Sequence, residues 1–333
     1  MTAVRPASAD ASLGTVRLTV AVPTFRRPDH LRAALPLLLV QARGTGDRYD
    51  AEVLVVDNDP DGSGAAVVAE FAAPELRYVA EPTPGIAAVR NRAMDEAAGS
   101  ALLAFIDDDE RPEEGWLSSL LATWEAGLPA AVAGRVVAEY TGELDPWIRA
   151  GDFFVRRRLP TGTAVDVAAT SNLLLDLVQV RALGVRFATD LGLGGGEDSL
   201  FSRALTRAGA RILWCDESVA IDCVPRSRMT RSWVLTRAWS HGNAAVLTEL
   251  RLAAGPAARS VLRLRWATRG LLRVTGGGVR WAWGGLVRSD RHRARGLRAL
   301  CRGAGMVGAA WGVVFQEYAR DGRRWRLSWG GAR

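Results

Sequence analysis

The sequence predicts an α/β fold: a mostly parallel central sheet flanked by helices, followed by a basic, helical C-terminal extension. Three observations carry this prediction. Through residues 17–107, short runs of strand length alternate with segments of helical period. The short runs are apolar along their whole length, as strands covered on both faces are. Each run also ends in polar residues, Pro23-Thr24 after the first, Asp57 after the second and Asp107-Asp108-Asp109 after a later one. Open parallel sheets take their ligands at that carboxyl edge.

The elements follow in order. Residues 18–22 form the first strand and 28–40 a helix, despite Pro36. A second buried strand, 52–56, stops at Asp57-Asn58-Asp59-Pro60, and 65–71 reads as helix. Residues 76–80 are a short strand, 86–98 a helix and 101–106 the next strand. Beyond Trp116 the pattern is mixed. Residues 130–137 are strand-like, 140–159 irregular around Pro146-Trp147, and 165–175 strand-like around Ser171-Asn172. A helix over 198–208, a strand over 211–214 and a long helix over 231–250 complete the body. The composition shifts around 251–256. The expected organisation is therefore a loose tail over 1–15, a domain over 16–250 and an extension over 251–333.

With 333 residues, 48% of them hydrophobic, the chain can bury a core for one large domain with an appendage. Its Ala/Ser-rich start lacks the apolar stretch of a signal peptide. No run approaches the roughly 18 apolar residues of a membrane span. Cys215, Cys223 and Cys301 are scattered and odd in number, which argues for a reducing compartment and against both a disulfide framework and a zinc site. Net charge is +7 and every basic residue other than histidine is Arg. The surplus sits after residue 250, where the only acids are Asp290, Glu317 and Asp321. An acidic body with a basic, tryptophan-bearing tail implies two jobs.

Three consecutive carboxylates at the mouth of a buried strand repel one another and call for a cation or a basic partner. Mg²⁺ is usually held by one or two carboxylates plus substrate phosphates; the alternative is a solvated, Asp-rich junction. The first strand–helix turn lacks Gly-x-Gly-x-x-Gly, and a Walker A loop would need a Lys. What remains is an acidic nucleotide site whose phosphates are bridged to the protein by metal.

Four motifs occur in sequence order: Val22-Pro23-Thr24-Phe25-Arg26-Arg27-Pro28, Val55-Val56-Asp57-Asn58, Gly85-Ile86-Ala87-Ala88-Val89-Arg90-Asn91-Arg92-Ala93 and Phe105-Ile106-Asp107-Asp108-Asp109. Together they resemble a family 2 glycosyltransferase of GT-A fold, over about residues 18–244. The resemblance implies a nucleotide-sugar donor, of UDP type, and a divalent metal, Mg²⁺ or Mn²⁺. Pro23, Thr24 and Arg27 would lie on the nucleotide, Asp57 would accept from the base N3–H, and Asp107 would face the ribose. Asp108 would support that loop and Asp109 would ligate the metal. Arg90 would lie near the base or diphosphate, or else be a surface helix residue.

Further on, Gly194-Gly195-Gly196-Glu197-Asp198 places two acids at a helix start. Capping and the helix dipole alone explain an acid there. The resemblance instead makes Asp198 the general base of an inverting enzyme and Glu197 an acceptor ligand, with the two roles exchangeable. Val224-Pro225-Arg226-Ser227-Arg228, the Trp/Arg helix after it and Asp145-Pro146-Trp147 narrow the resemblance to succinoglycan-type exopolysaccharide glucosyltransferases. Asp222 and Arg228 would touch diphosphate or metal, or pair at the surface. Trp147, in a loop, is a stacking candidate, while Trp233, Trp239 and His241 read as structural. No Gln-x-x-Arg-Trp element of processive synthases is present.

In the extension, Arg288, Arg291, Arg295, Arg298 and Arg302 would share one helical stripe, with Leu297, Leu300, Ala304, Val307, Trp311 and Val314 as an apolar series. Such a helix, with Trp266, Trp281, Trp283 and Trp325 near it, suits an anionic membrane surface. A helical subdomain packed on the body is the other reading, and Gly303, Gly305, Gly308 and Gly312 weaken a continuous helix. The expectation is a non-processive hexosyl transfer to a lipid-linked or glycan acceptor, at the inner face of the membrane and without nucleic acid. The alternative is a membrane- or nucleic-acid-binding basic protein whose GT-A domain is degenerate.

Overall fold

The computed structural model describes residues 15–191, 195–315 and 325–327. The expected tail over 1–14, Gly194 and the side chain of Trp325 lie outside the described residues. The chain begins β1 (Val16–Thr24), α1 (Pro28–Arg43), β2 (Tyr49–Asp57), α2 (Ser63–Ala69), β3 (Leu76–Ala80), α3 (Ile86–Glu96) and β4 (Leu102–Ile106). It continues through β5 (Glu110–Pro112), α4 (Trp116–Gly127), β6 (Ala131–Tyr140), α5 (Pro146–Ala150), β7 (Asn172–Asp176), α6 (Leu177–Ala182) and α7 (Glu197–Arg207). Then come β8 (Ile212–Val224), α8 (Arg231–Arg251), α9 (Pro256–Leu286), α10 (Asp290–Ala310) and the short β9 (Val313–Phe315) and β10 (Trp325–Leu327).

One sheet runs in the order β3-β2-β1-β4-β7-β6-β8-β5. The first four strands are mutually parallel; β7 is antiparallel to both of its neighbours, and β5 is antiparallel to β8. Period-two alternation sends Leu18, Val20 and Val22 of β1 into one core layer with Leu31, Leu35 and Leu38 of α1. Ala21 points into the opposite layer, where Leu54, Phe105 and Leu173 meet Val89 and Ala93 of α3 and Phe201 of α7. The sheet is thus covered on both faces, which is why its strands read as unbroken apolar runs.

Reversal of β7 brings its first residue to the same edge where β1 and β4 end, with Asn172 opposite Ile106. Asn172 also bridges a register shift between β6 and β8. Its Nδ2 donates to the carbonyls of Arg135 (2.9 Å) and Ser218 (3.0 Å), and its Oδ1 accepts from Trp116 Nε1 (2.9 Å). Gly134 leaves room for it, since a Cβ there would stand 2.3 Å from the amide.

The irregular stretch around Pro146-Trp147 contains α5. Asp145 caps it, accepting from Trp147 N at 2.7 Å, and Pro146 occupies the first turn. Of the expected 165–175 strand only 172–175 falls in β7, which ends one residue later, while β8 runs well past 214.

α8 ends at Arg251 and α9 begins at Pro256, with Gly255 between them at φ +96°. α10 packs along both α8 and α9 and is continuous to Ala310 despite its glycines. Those glycines are contact points. A Cβ at Gly305 would stand 2.0 Å from the Trp239 carbonyl of α8, and one at Gly303 2.6 Å from the Gly270 carbonyl of α9. Gly276 and Gly277 of α9 should therefore respond oppositely to Ala. Gly276 faces open space, so Gly276→Ala should stabilise by about 1 kcal/mol through helix propensity. A Cβ at Gly277 would lie 2.6 Å from Leu300 N, so Gly277→Ala should destabilise by about 1–3 kcal/mol. Urea denaturation of the two variants checks this.

Candidate active site

The carboxyl edge of the sheet opens into a cleft of about 730 Å³. It is built from the residues that follow β1 and β4, those that precede β7, the end of β8 and the starts of α7 and α8. Of the residues singled out in the sequence, Pro23, Thr24, Arg27, Arg90, Asp107, Asp108, Asp109, Glu197, Asp198, Asp222 and Arg228 all line this one cleft. Asp57 and Trp147 do not.

Asp57 is fully buried at the end of β2. Its Oδ1 accepts from Asp59 N (2.9 Å), and its Oδ2 from Gly64 N (2.7 Å) and Tyr78 Oη (3.2 Å). The carboxylate expected to meet a base instead holds the start of α2. Neighbouring Asn58 lines the cleft, but its side chain bonds the Glu81 and Thr83 carbonyls and the Gly85 N–H. Trp147 is buried in α5, stacked on Phe153 at 5.4 Å and lying under Arg231. Trp233, expected to be structural, lines the cleft together with Phe154, the two stacked at 5.8 Å; Phe25 and Phe315 line it as well. Sequence reasoning also passed over Glu110, Arg156, Thr170, Ser171 and Arg237, which line it too. Glu110 was readable as the next acid after Asp109.

Acids and arginines alternate across the cleft floor. Thr24 Oγ1 donates to Asp108 Oδ2 at 2.8 Å, tying the end of β1 to the end of β4. Arg27 Nη1 donates to Asp108 Oδ1 (3.0 Å) and Asp109 Oδ2 (2.9 Å). Arg228 Nη2 approaches the same Asp109 oxygen (3.2 Å), and its Nη1 lies 3.8 Å from Asp222 Oδ1. Arg156 closes the series on Asp222 Oδ2 at 2.9 Å. The turn before α1 aims Arg27 inward: Arg26 takes a left-handed φ of +54° and binds Asp59 and Asp61, and Pro28 then fixes the first helical turn.

Glu197 and Asp198 occupy the first turn of α7, entered through Gly196 at φ +99°. The two acids differ in environment. Glu197 is buried and receives Arg90 Nη1 at 2.6 Å. Arg90 is therefore not a surface residue: it is buried, lines the cleft and reaches from α3 to α7. Asp198 is partly exposed in the cleft, its Oδ1 accepting from the adjacent Ser199 N–H and from no other described residue, and the helix dipole favours its charge.

The family model of glycosyl transferase family 2 matches residues 19–177. The chain is 34% identical over 232 residues to succinoglycan biosynthesis protein ExoM of Rhizobium meliloti (strain 1021), spanning 68% of this chain and 74% of that protein. This chain belongs to glycosyl transferase family 2. A pre-mycofactocin glycosyltransferase of Mycobacterium tuberculosis is 29% identical over 242 residues, 69% of this chain and 47% of that protein. Among solved structures, a Pyrobaculum calidifontis mannosyltransferase in complex with GDP-Man and Mn²⁺ superposes with a TM-score of 0.59 at 18% identity, covering 89% of this chain and 88% of that one. Residues 1–349 of S. aureus TarS give 0.51 at 13% identity, covering 92% and 98%. The glycosyltransferase fold is thus GT-A.

The donor set of the glycosyltransferase cleft is all oxygen, which suits a hard divalent ion. Among the described residues no three acids, histidines or cysteines stand together at ligating distance. The protein would then supply one or two ligands and the substrate phosphates the rest. Both arginines on Asp109 use Oδ2, so its Oδ1 has no hydrogen-bond partner among the described residues. Glu110 Oε2 is buried without a partner.

The remaining repulsion shows in the acids. Desolvation pushes Asp107 up to about 7; Arg90 opposes this, while Asp109, Asp108 and Glu197 add to it. Desolvation raises Asp108 against the pull of Arg27, and raises Glu110 with the charge of Asp107 beside it. A carboxyl whose folded pKa exceeds its unfolded one stabilises the fold at low pH and loses that stabilisation as pH rises. Without divalent ion, the melting temperature should therefore fall between about pH 4 and pH 7, from the unfolded to the folded value of Asp107. Mn²⁺ should flatten the fall, as should Asp107→Asn. Thermal melts across that range, with and without the ion, check both.

Proposed function

We propose that this glycosyltransferase is an inverting, metal-dependent and non-processive enzyme. It moves a hexose from a nucleoside diphosphate sugar, of UDP type, to a hydroxyl of a lipid-linked or glycan acceptor. It works at the inner face of the cell membrane, and its ion is Mg²⁺ or Mn²⁺. The observation that carries this reading is that Asp109 and Asp198, 89 residues apart in sequence, wall one cleft. The mannosyltransferase neighbour holds a nucleotide sugar with Mn²⁺, and a second neighbour, GalNAc-T7, holds UDP with Mn²⁺.

In this reading Pro23, Thr24 and the start of α3 receive the nucleoside. Asp57, bonded to the α2 turn and outside the cleft lining, is given no contact with the base. Asp107 would face the ribose, Asp108 holds the loop against Thr24 and Arg27, and Asp109 would help to hold the divalent ion. Bound there, a divalent ion offsets the charge that develops on the departing diphosphate. Arg27 and Arg228, released from Asp109 as phosphate arrives, pair with phosphate oxygens. Arg156 and Asp222 complete that wall.

Asp198 takes the proton of the acceptor hydroxyl as its oxygen bonds to the anomeric carbon and the bond to the diphosphate breaks. Attack opposite the leaving group inverts the centre. The burial of Glu197 and its bond to Arg90 support giving it the orienting role, and the greater exposure of Asp198 supports giving that residue the role of base. Phe154 and Trp233 face the acceptor side.

Asp198→Asn should leave donor binding within a few-fold while lowering transfer by about 10²–10⁴-fold. Asp109→Ala should abolish the metal-dependent part of nucleotide binding. Calorimetry with UDP, with and without Mn²⁺, alongside turnover assays, separates the two. Equal loss of donor binding in Asp198→Asn would sink the base assignment.

A further inference from the structure

The extension carries two sets of arginines, and the structure sorts them differently from the sequence. Of the α10 stripe, Arg288 and Arg291 are exposed, while Arg295, Arg298 and Arg302 are half-buried and turn toward the body. Arg295 pairs with Asp152, and Arg298 donates to the Gly151 and Asp152 carbonyls and lies over the Phe153 ring at 5.5 Å. Leu297, on the same helix, packs beside Trp147 and Ile148 of α5. Trp266 likewise packs inward, against Val246 and Met306.

α9 is the open helix. Its buried side is Gly270, Gly277 and Gly284, at heptad spacing, pressed against the α10 backbone. On the opposite side Val261, Leu264, Leu272, Val279, Trp283 and Leu286 repeat at helical spacing, exposed by 67%, 73%, 67%, 71%, 55% and 78%. Beside this stripe run Arg265, Arg269 and Arg273, also exposed. None of the three has an ion pair among the described residues, and no acid occurs between residues 250 and 289. A large apolar stripe rimmed by charge of one sign marks a binding surface. No described helix is long and apolar enough to cross a membrane, so this one can only lie along a surface.

We infer that the outward face of α9 docks the protein on an anionic lipid bilayer, the apolar stripe entering the acyl boundary and Arg265, Arg269 and Arg273 meeting lipid phosphates. Arginine suits this position because its stem can lie along the apolar surface while the guanidinium reaches a phosphate bidentately. The inference gives the membrane location of the preceding section a specific surface, yet it stands on α9 alone and survives if the cleft chemistry is read wrongly.

The test uses the full chain with vesicles of phosphatidylcholine, alone or mixed with phosphatidylglycerol. Wild type should sediment with the anionic vesicles, in a salt-sensitive manner, and stay in solution with the neutral ones. Replacing Arg265, Arg269 and Arg273 together by Gln should weaken partition on the order of a hundredfold. Leu264→Asp with Leu272→Asp should abolish it. Nucleotide release from the donor sugar in solution, unchanged in both variants, would show that the fold and cleft are intact. Absence of that activity in wild type too would fault the cleft reading and leave the vesicle result standing. If wild type ignores anionic vesicles, or is a dimer that the Asp variant turns into monomers, α9 is not a lipid-docking face and the inference falls.

Discussion

Like-charge repulsion at one edge of the sheet is the constraint that organises this molecule. Asp107, Asp108, Asp109 and Glu110 leave β4 in succession, so the covalent chain itself forbids their separation. Parallel β1 and β4, reversed β7 and the returning end of β8 then bring Asp222, Thr170 and Ser171 to the same place. Two unit charges about 4 Å apart repel by about 4 kcal/mol at an effective dielectric of 20. A fold that concentrates so many acids must place cations among them, and it does so with Arg27, Arg228, Arg156 and Arg90. A guanidinium is suited to this because a single Arg27 nitrogen can serve two carboxylates while the planar fork keeps its direction. Burial is the main cause of the rise of Asp107 to about 7, which Arg90 opposes and the charges of Asp109, Asp108 and Glu197 reinforce.

The same constraint divides the first turn of α7. Arg90 reaches Glu197 from α3 and holds it buried, which leaves Asp198 as the more exposed of the two acids in the cleft. Removing one partner of such a buried pair costs about 3–5 kcal/mol because the other charge is stranded. Arg90 therefore does more for the position of α7, and of the acids in its first turn, than a surface arginine could.

Local signals were strong enough to read most of the sheet and the acid string. Strands covered on both faces give unbroken apolar runs, and the carboxyl edge is marked by the polar residues that end them. Legibility stopped where a side chain's partner lies far away in sequence. Asp57 sits in a motif that points to a base, yet Gly64 and Tyr78, reached only through the α2 turn and β3, take its oxygens. Trp147 read as a loop residue, although Asp145-Pro146 is a local helix-start signal that was there to be used. The glycines of α10 were weighed by helix propensity alone, a preference that close packing against α8 and α9 overrides. Trp233 and Phe154 reach the cleft from elements whose spacing gave no sign that they meet.

The split of charge along the chain acquires a geometric meaning from these packings. An acidic cleft and a basic surface on one protein would satisfy each other if they touched, and neither would then bind its own partner. α10 lies between α8, which walls the cleft, and most of α9, which carries the outward arginines. Packed helices stand about 8–10 Å apart, close to the Debye length of about 8–10 Å at ordinary ionic strength. One intervening helix is therefore enough to screen the two fields from each other. The inward arginines of α10 are used up on Asp152 and its neighbouring carbonyls, fixing the extension to the body. The glycine contacts hold α9 in one rotation about its axis, so the face left open is the apolar, arginine-edged one, turned away from the acids that would otherwise neutralise it.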